Sequence, residues 1–160
     1  MNKQPLIHVI EGDDAVRDSI AMLLQVDDFV VHLYPSGVAF LRQADLAETS
    51  CLVIDMHLPG LSGAAVLGLL RSWRIPIRIV AMINIADVDP CCVAMDRDPL
   101  LLDSVLLKKP FSGLDLLRSI DIVTRRGRST ESAMVNITAE ADRGWDEYRA
   151  RMRFEGVPGR

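Results

Sequence analysis

The chain has 160 residues, 49% of them apolar and 25% charged, with a formal net charge of −4. That length holds one domain with a real core plus a tail, and it is too short for two ordinary domains. The acidic balance argues against a chain whose main task is to grip nucleic acid by its phosphates. The start, Met1 to Ile10, carries one lysine and an apolar run too short for a signal peptide. No run reaches the roughly 18 apolar residues of a membrane helix, so the expected location is cytoplasmic. Cys51, Cys91 and Cys92 match no metal-ligand spacing and make a poor disulfide framework, which leaves them as buried or incidental thiols.

Leu6-Ile-His-Val-Ile10 reads as a strand that runs into the acids of Glu11-Gly-Asp-Asp14. Val16, Ile20, Leu23 and Leu24 then recur at helical spacing up to about Asp27, and Asp13 or Asp14 can cap that helix. Phe29 to Tyr34 is a second strand, broken by Pro35-Ser36, and Val38, Phe40, Leu41 and Ala44 mark a short second helix. Cys51-Leu-Val-Ile-Asp55 follows as a strand buried on both faces, ending on a carboxylate. Leu58-Pro-Gly60 forces a turn, and Ala65, Val66, Leu69 and Leu70 give the buried stripe of a third helix running to Arg74. Ile77 to Met82 and Ser104 to Lys109 are strands four and five. The last helix of the domain has Leu114, Leu117, Ile120 and Ile122 as its expected apolar positions.

Strands recurring with helices between them imply parallel pairing through crossovers. The expected fold is α/β, a doubly wound five-stranded parallel sheet of flavodoxin-like order 2-1-3-4-5 with an irregular fourth helix. The irregular unit is Ile83 to Asp103, where Pro90 and Pro99 leave room for one or two helical turns near Cys91 to Asp96. The domain is expected over residues 1–126. Residues 127–160 read as a polar linker and a C-terminal amphipathic helix with no output domain. Ala141, Trp145, Tyr148 and Met152 share one face of that helix, suited to packing on the parent domain or to a dimer or partner contact.

In a sheet of this order the functional crevice lies between the carboxyl ends of strands one and three. Glu11, Asp13 and Asp14 stand at one of those ends and Asp55 at the other. Converging carboxylates repel unless a cation joins them, and a hard ion such as Mg²⁺ takes one or two carboxylates together with water and phosphate oxygens. Lys109, at the end of strand five, can bring a compact positive charge to the same place. An aspartate in that setting is a candidate phosphoryl acceptor.

Three stretches carry a resemblance to a known family: Ile7-His-Val-Ile-Glu-Gly-Asp-Asp-Ala-Val-Arg-Asp-Ser-Ile20, Ile54-Asp-Met-His-Leu-Pro-Gly-Leu-Ser-Gly63 and Lys108-Lys-Pro-Phe111. Over residues 6 to about 125 the chain resembles a response-regulator receiver domain of two-component signalling, CheY-like and nearest in wording to the FixJ branch. The resemblance implies that Asp55 is the phosphoacceptor and Lys109 the phosphoryl contact. It implies a Mg²⁺ site formed by Glu11, Asp55 and the His57 backbone carbonyl, with Asp13 as a further candidate ligand. The implied partner is a histidine kinase or phosphotransfer protein, with a homodimer through the fifth or the C-terminal helix as a further expectation. A receiver of this kind is a signalling module, and no independent enzyme activity is expected.

The chain departs from the family's pattern at three places. Gly12 stands where a second acid binds the metal, Ala81 where strand four carries Ser or Thr, and Leu106 where strand five carries an aromatic residue. Those departures support an alternative reading, an atypical pseudo-receiver acting as a phosphorylation-independent protein-binding or dimerisation module. Direct nucleic-acid binding is not expected, because Arg125, Arg126 and Arg128 complement a helix dipole and nothing after Phe154 can form a helix-turn-helix domain.

Overall fold

The computed structural model describes residues 4–47, 49–84 and 104–128, the last four by backbone alone. Its strands are β1 (Leu6–Ile10), β2 (Val30–Tyr34), β3 (Thr49–Asp55), β4 (Ile79–Asn84) and β5 (Ser104–Lys109). The helices are α1 (Asp14–Val26), α2 (Gly37–Gln43), α3 (Gly63–Ser72) and α4 (Gly113–Arg128). The strands form one parallel sheet in the order β2-β1-β3-β4-β5, as expected from the strand–helix alternation.

Strand alternation splits the core into two layers. Ile10, Leu52, Ile54, Ile79, Ala81 and Ile83 face α2 and α3, where they meet Phe40, Leu41, Val66, Leu67 and Leu70. Ile7, Val9, Cys51, Val53, Val80, Met82 and Leu107 face the other way, against Ile20 and Leu24 of α1 and Leu116, Ile120 and Val123 of α4. Both layers are apolar because a parallel sheet covered on both faces has no wet side.

Short polar side chains start the helices. Asp13, Ser36 and Ser62 accept from the backbone N–H of Val16, Ala39 and Ala65, capping α1, α2 and α3. Ser112 and Asp115 form a reciprocal box at α4, each side chain accepting from the other's backbone N–H. Gly63 lets α3 begin directly against the end of β3. A Cβ there would lie 2.5 Å from the Asp55 carbonyl oxygen and 2.7 Å from the Met56 Cα, too close for any other residue.

Three expectations need correction. The fourth strand runs over Ile79–Asn84 rather than Ile77 to Met82, because parallel pairing sets Asp55 opposite Met82 and carries β4 on to Asn84 beside Lys109. The buried stripe of α4 is Leu116, Ile120 and Val123, while Leu114 and Ile122 are exposed at 55% and 41%. Of the expected positions, Ile120 is buried and Leu117 packs partly buried against the same layer. It is Leu114 and Ile122 that are displaced, by Leu116 and Val123, so packing rather than leucine content fixes the phase of that helix. Ala65 is likewise exposed and Leu67 takes its place in the α3 stripe. The expected helical turns at Cys91 to Asp96, the linker and the Ala141 to Met152 stripe lie outside the described residues.

Candidate functional site

Glu11 follows β1, Asp55 ends β3 and Lys109 ends β5, so parallel strands deliver all three to one edge of the sheet. Their positions also share one parity, that of Val9, Val53 and Leu107, so the side chains leave the sheet on the same face. Lys109 reaches over β4, and its Nζ donates to Glu11 Oε2 and to Asp55 Oδ2, each at 2.9 Å. Glu11 and Asp55 are only 2% and 6% exposed, which makes the lysine their counter-ion rather than a surface decoration.

The remaining carboxylate oxygens are also engaged. Asp55 Oδ1 accepts from the His57 backbone N–H at 2.9 Å, and Glu11 Oε1 accepts from the Asp13 backbone N–H at 3.0 Å. Burial works against the charge on Lys109, but the hydrogen bonds and charges of Asp55 and Glu11 outweigh it and hold the ammonium above its ordinary pKa. The site is therefore poised with two carboxylates and one cation.

Asp55, Lys109 and Glu11 are thus brought together as the strand ends predict. His57 contributes its backbone N–H, and its side chain is exposed. Asp13 is not brought in: it is exposed, and its Oδ1 takes the Val16 N–H at 2.9 Å as the cap of α1. Gly12, in the turn between β1 and α1, lies under Pro59. A Cβ at that position would sit 3.2 Å from the Pro59 Cδ, so the loop after β3 would have to give by a few tenths of an ångström.

A divalent ion has two carboxylates on offer here. Among the described residues no group of three or more His, Cys, Asp or Glu side chains is arranged to hold a metal. Hard oxygen donors, two of them carboxylates, are nonetheless what Mg²⁺ uses when water and a phosphate complete its shell, so the donor chemistry fits.

Sequence reading overlooks two residues near this site. Arg17 Nη1 donates to the Glu11 carbonyl oxygen at 2.8 Å, and its Nη2 pairs with Asp14. Asn84 ends β4 as the register partner of Lys109, and both line a cavity of about 700 Å³ with Val16, Leu23, Phe111 and Leu116. The Arg17 contact spans a helical turn and leaves no motif. Asn84 would follow from carrying strand four two residues further. Ala81 and Leu106 are register partners across β4 and β5, the former fully buried and the latter 37% exposed.

A second buried polar group lies on the α2–α3 face. His8 is fully buried, shares a 2.9 Å hydrogen bond between its Nδ1 and the Tyr34 hydroxyl, and stacks on that ring. Burial first, then the nearby His32, push its pKa down from 6.5 to about 4, so it is neutral in the fold.

Comparison with known proteins gives the family and the fold. The family model described as response regulator receiver domain matches residues 7–121. The transcriptional regulatory protein FixJ of Azorhizobium caulinodans is 32% identical over 125 residues, covering 78% of this chain and 56% of the relative. This chain therefore spans little more than half of that relative's length. The crystal structure titled FixJ-N superposes with a TM-score of 0.65 at 25% identity, covering 78% of this chain and 96% of that one. A receiver-domain structure from Clostridium thermocellum, at 23% identity and a TM-score of 0.66, covers 78% of this chain and 97% of that one and shares the fold. Sheet order and sequence agree: this chain belongs to the response regulator receiver domain family.

Proposed function

We propose that Asp55 accepts a phosphoryl group from a histidine kinase or phosphotransfer protein, so that the domain acts as the phosphoacceptor of a two-component relay. The observation that carries this reading is the buried Asp55 carboxylate held by Lys109 Nζ at 2.9 Å and the His57 N–H at 2.9 Å. In the transfer, an Asp55 carboxylate oxygen attacks phosphorus. A P–O bond forms and the donor's P–N bond breaks, and its electron pair leaves on the imidazole, which takes up a proton. Lys109 sits where it can neutralise the incoming phosphoryl oxygens as a point charge.

Mg²⁺ would be held by Glu11, Asp55 and the His57 backbone carbonyl, and would supply further neutralisation of phosphoryl charge. With Gly12 in place of an acid and Asp13 spent on capping α1, that site is one carboxylate short of the family's set. We infer a weaker ion than in receivers that keep both acids. Receiver domains are signalling modules, and no turnover of the chain's own is proposed. No described helix is long and apolar enough to cross a membrane, in keeping with a cytoplasmic place of action.

The test is intact mass after incubation with Mg²⁺ and a small phosphodonor. Wild type should gain one phosphoryl group and Asp55→Asn none. An unmodified wild type under saturating donor refutes the reading.

One observation favours a second reading, a phosphorylation-independent binding or dimerisation module. Ala81 and Leu106 face each other across β4 and β5 with neither a hydroxyl nor an aromatic ring, so a phosphoryl group on Asp55 would meet no familiar relay. Sedimentation of the full chain separates the two readings. Self-association that is identical in wild type and Asp55→Asn supports the second; a monomer at high concentration removes its dimerisation part.

A further inference from the structure

The turn that carries Glu11 has no side chain at Gly12 to hold it, and the Asp13 side chain is spent on α1. Glu11 nevertheless has to aim a buried carboxylate at Lys109. Two contacts fix it from behind. The Asp13 N–H donates to Glu11 Oε1 at 3.0 Å, and Arg17 Nη1 donates to the Glu11 carbonyl oxygen at 2.8 Å. Arg17 in turn is anchored by Asp14, and its side chain is only 14% exposed although it leaves a surface helix. A guanidinium presents several donors in one plane, so a single side chain can serve a backbone carbonyl and a carboxylate together.

We propose that Arg17 is a positioning residue for phosphoryl transfer: by clamping the Glu11 carbonyl to α1, it holds the Glu11 carboxylate against Lys109 and so fixes where the ammonium stands relative to Asp55. The chain of contacts is continuous, from Asp14 through Arg17 to the Glu11 backbone, and from the Glu11 carboxylate through Lys109 to Asp55. Arg17 touches neither acceptor nor phosphoryl group. Its effect passes through Glu11, and the inference about transfer rests on the reading of Asp55 as acceptor.

The experiment compares full-length wild type, Arg17→Ala, Arg17→Lys and Asp55→Asn. The first readout is the Lys109 ammonium resonance by NMR at neutral pH, slowed in exchange by its two carboxylate partners, which needs no phosphorylation at all. Arg17→Ala should broaden or lose that resonance, and Arg17→Lys, which can reach the carbonyl or Asp14 but not both in one plane, should fall between. The second readout is the rate of Asp55 phosphorylation by a small phosphodonor. Arg17→Ala should lower the maximal rate by about ten- to a hundredfold, the scale of a misplaced reacting group, with the half-saturating donor concentration unchanged. An unaltered Lys109 resonance and rate in Arg17→Ala, even with a lowered melting temperature, would make Arg17 a plain helix brace and overturn the proposal. Failure of wild type to be phosphorylated would refute the acceptor reading alone, since the resonance still reports on Arg17.

Discussion

Glu11 and His8 belong to one stretch of chain, both are buried, and the fold treats them in opposite ways. Glu11 stands at the carboxyl edge of the sheet, where Lys109 can cross β4 to meet it, and it shares that cation with Asp55. His8 sits within β1 on the α2–α3 face, among Tyr34, His32 and Phe40, and is held neutral by burial. A charge is kept where parallel strand ends supply a close counter-ion and is discarded where burial among rings outweighs the pull of Asp45. The charged site is the one proposed to do chemistry; the neutral one is core.

The largest effect is expected from removing the shared cation. Lys109→Met leaves two buried carboxylates facing each other and should lower unfolding free energy by about 3–5 kcal/mol at neutral pH. Urea melts should also show part of that loss recovered as pH falls into the carboxylate range, where one acid can take a proton. A loss that does not depend on pH would show that packing, not charge, holds the site together.

Next in size is the neutral site. The His8 pKa is lowered from 6.5 to about 4 on folding, so the unfolded chain binds the extra proton first. Its stabilising contribution is fully present above pH 6.5 and is lost as pH falls from there towards 4, by about 3 kcal/mol in all. His8→Phe should flatten that part of the pH–stability curve. An unchanged slope would place the acid sensitivity elsewhere.

Smaller effects sharpen the same contrast. Tyr34→Phe removes the hydroxyl partner of His8 Nδ1 and should cost about 1–2 kcal/mol, with no effect on phosphorylation of Asp55. Ser62→Ala, which deletes the cap of the helix that starts beside Asp55, should cost about 1 kcal/mol, measured by denaturant midpoint. A change in the Asp55 phosphorylation rate in Tyr34→Phe would mean that the two buried sites are coupled after all.

The sheet order and the Asp55–Lys109–Glu11 edge were legible in the sequence, because each of those residues ends or follows an apolar run and parallel strands must bring such ends together. The phase of α4 was not. Leu114, Leu116, Leu117 and Ile122 offer more than one stripe, and only contact with Leu107 and α1 selects Leu116, Ile120 and Val123. Asp13 shows a different limit: the same carboxylate suits a metal or a helix N-terminus, and the backbone N–H of Val16 claims it. The His8–Tyr34 contact joins groups 26 residues apart, so it depends on where the chain returns, while the Arg17 contact ends on a backbone carbonyl, which carries no residue signature for a motif to record.

The most direct measurement is to map the phosphoryl group. Wild-type protein treated with Mg²⁺ and a small phosphodonor is reduced with borohydride, which converts an aspartyl phosphate to homoserine, and its peptides are weighed. Homoserine at position 55 alone, lost when Lys109 is replaced by Met, is the predicted result. No homoserine, or homoserine at Asp13 or another acid in place of position 55, would contradict the assignment of Asp55 as acceptor.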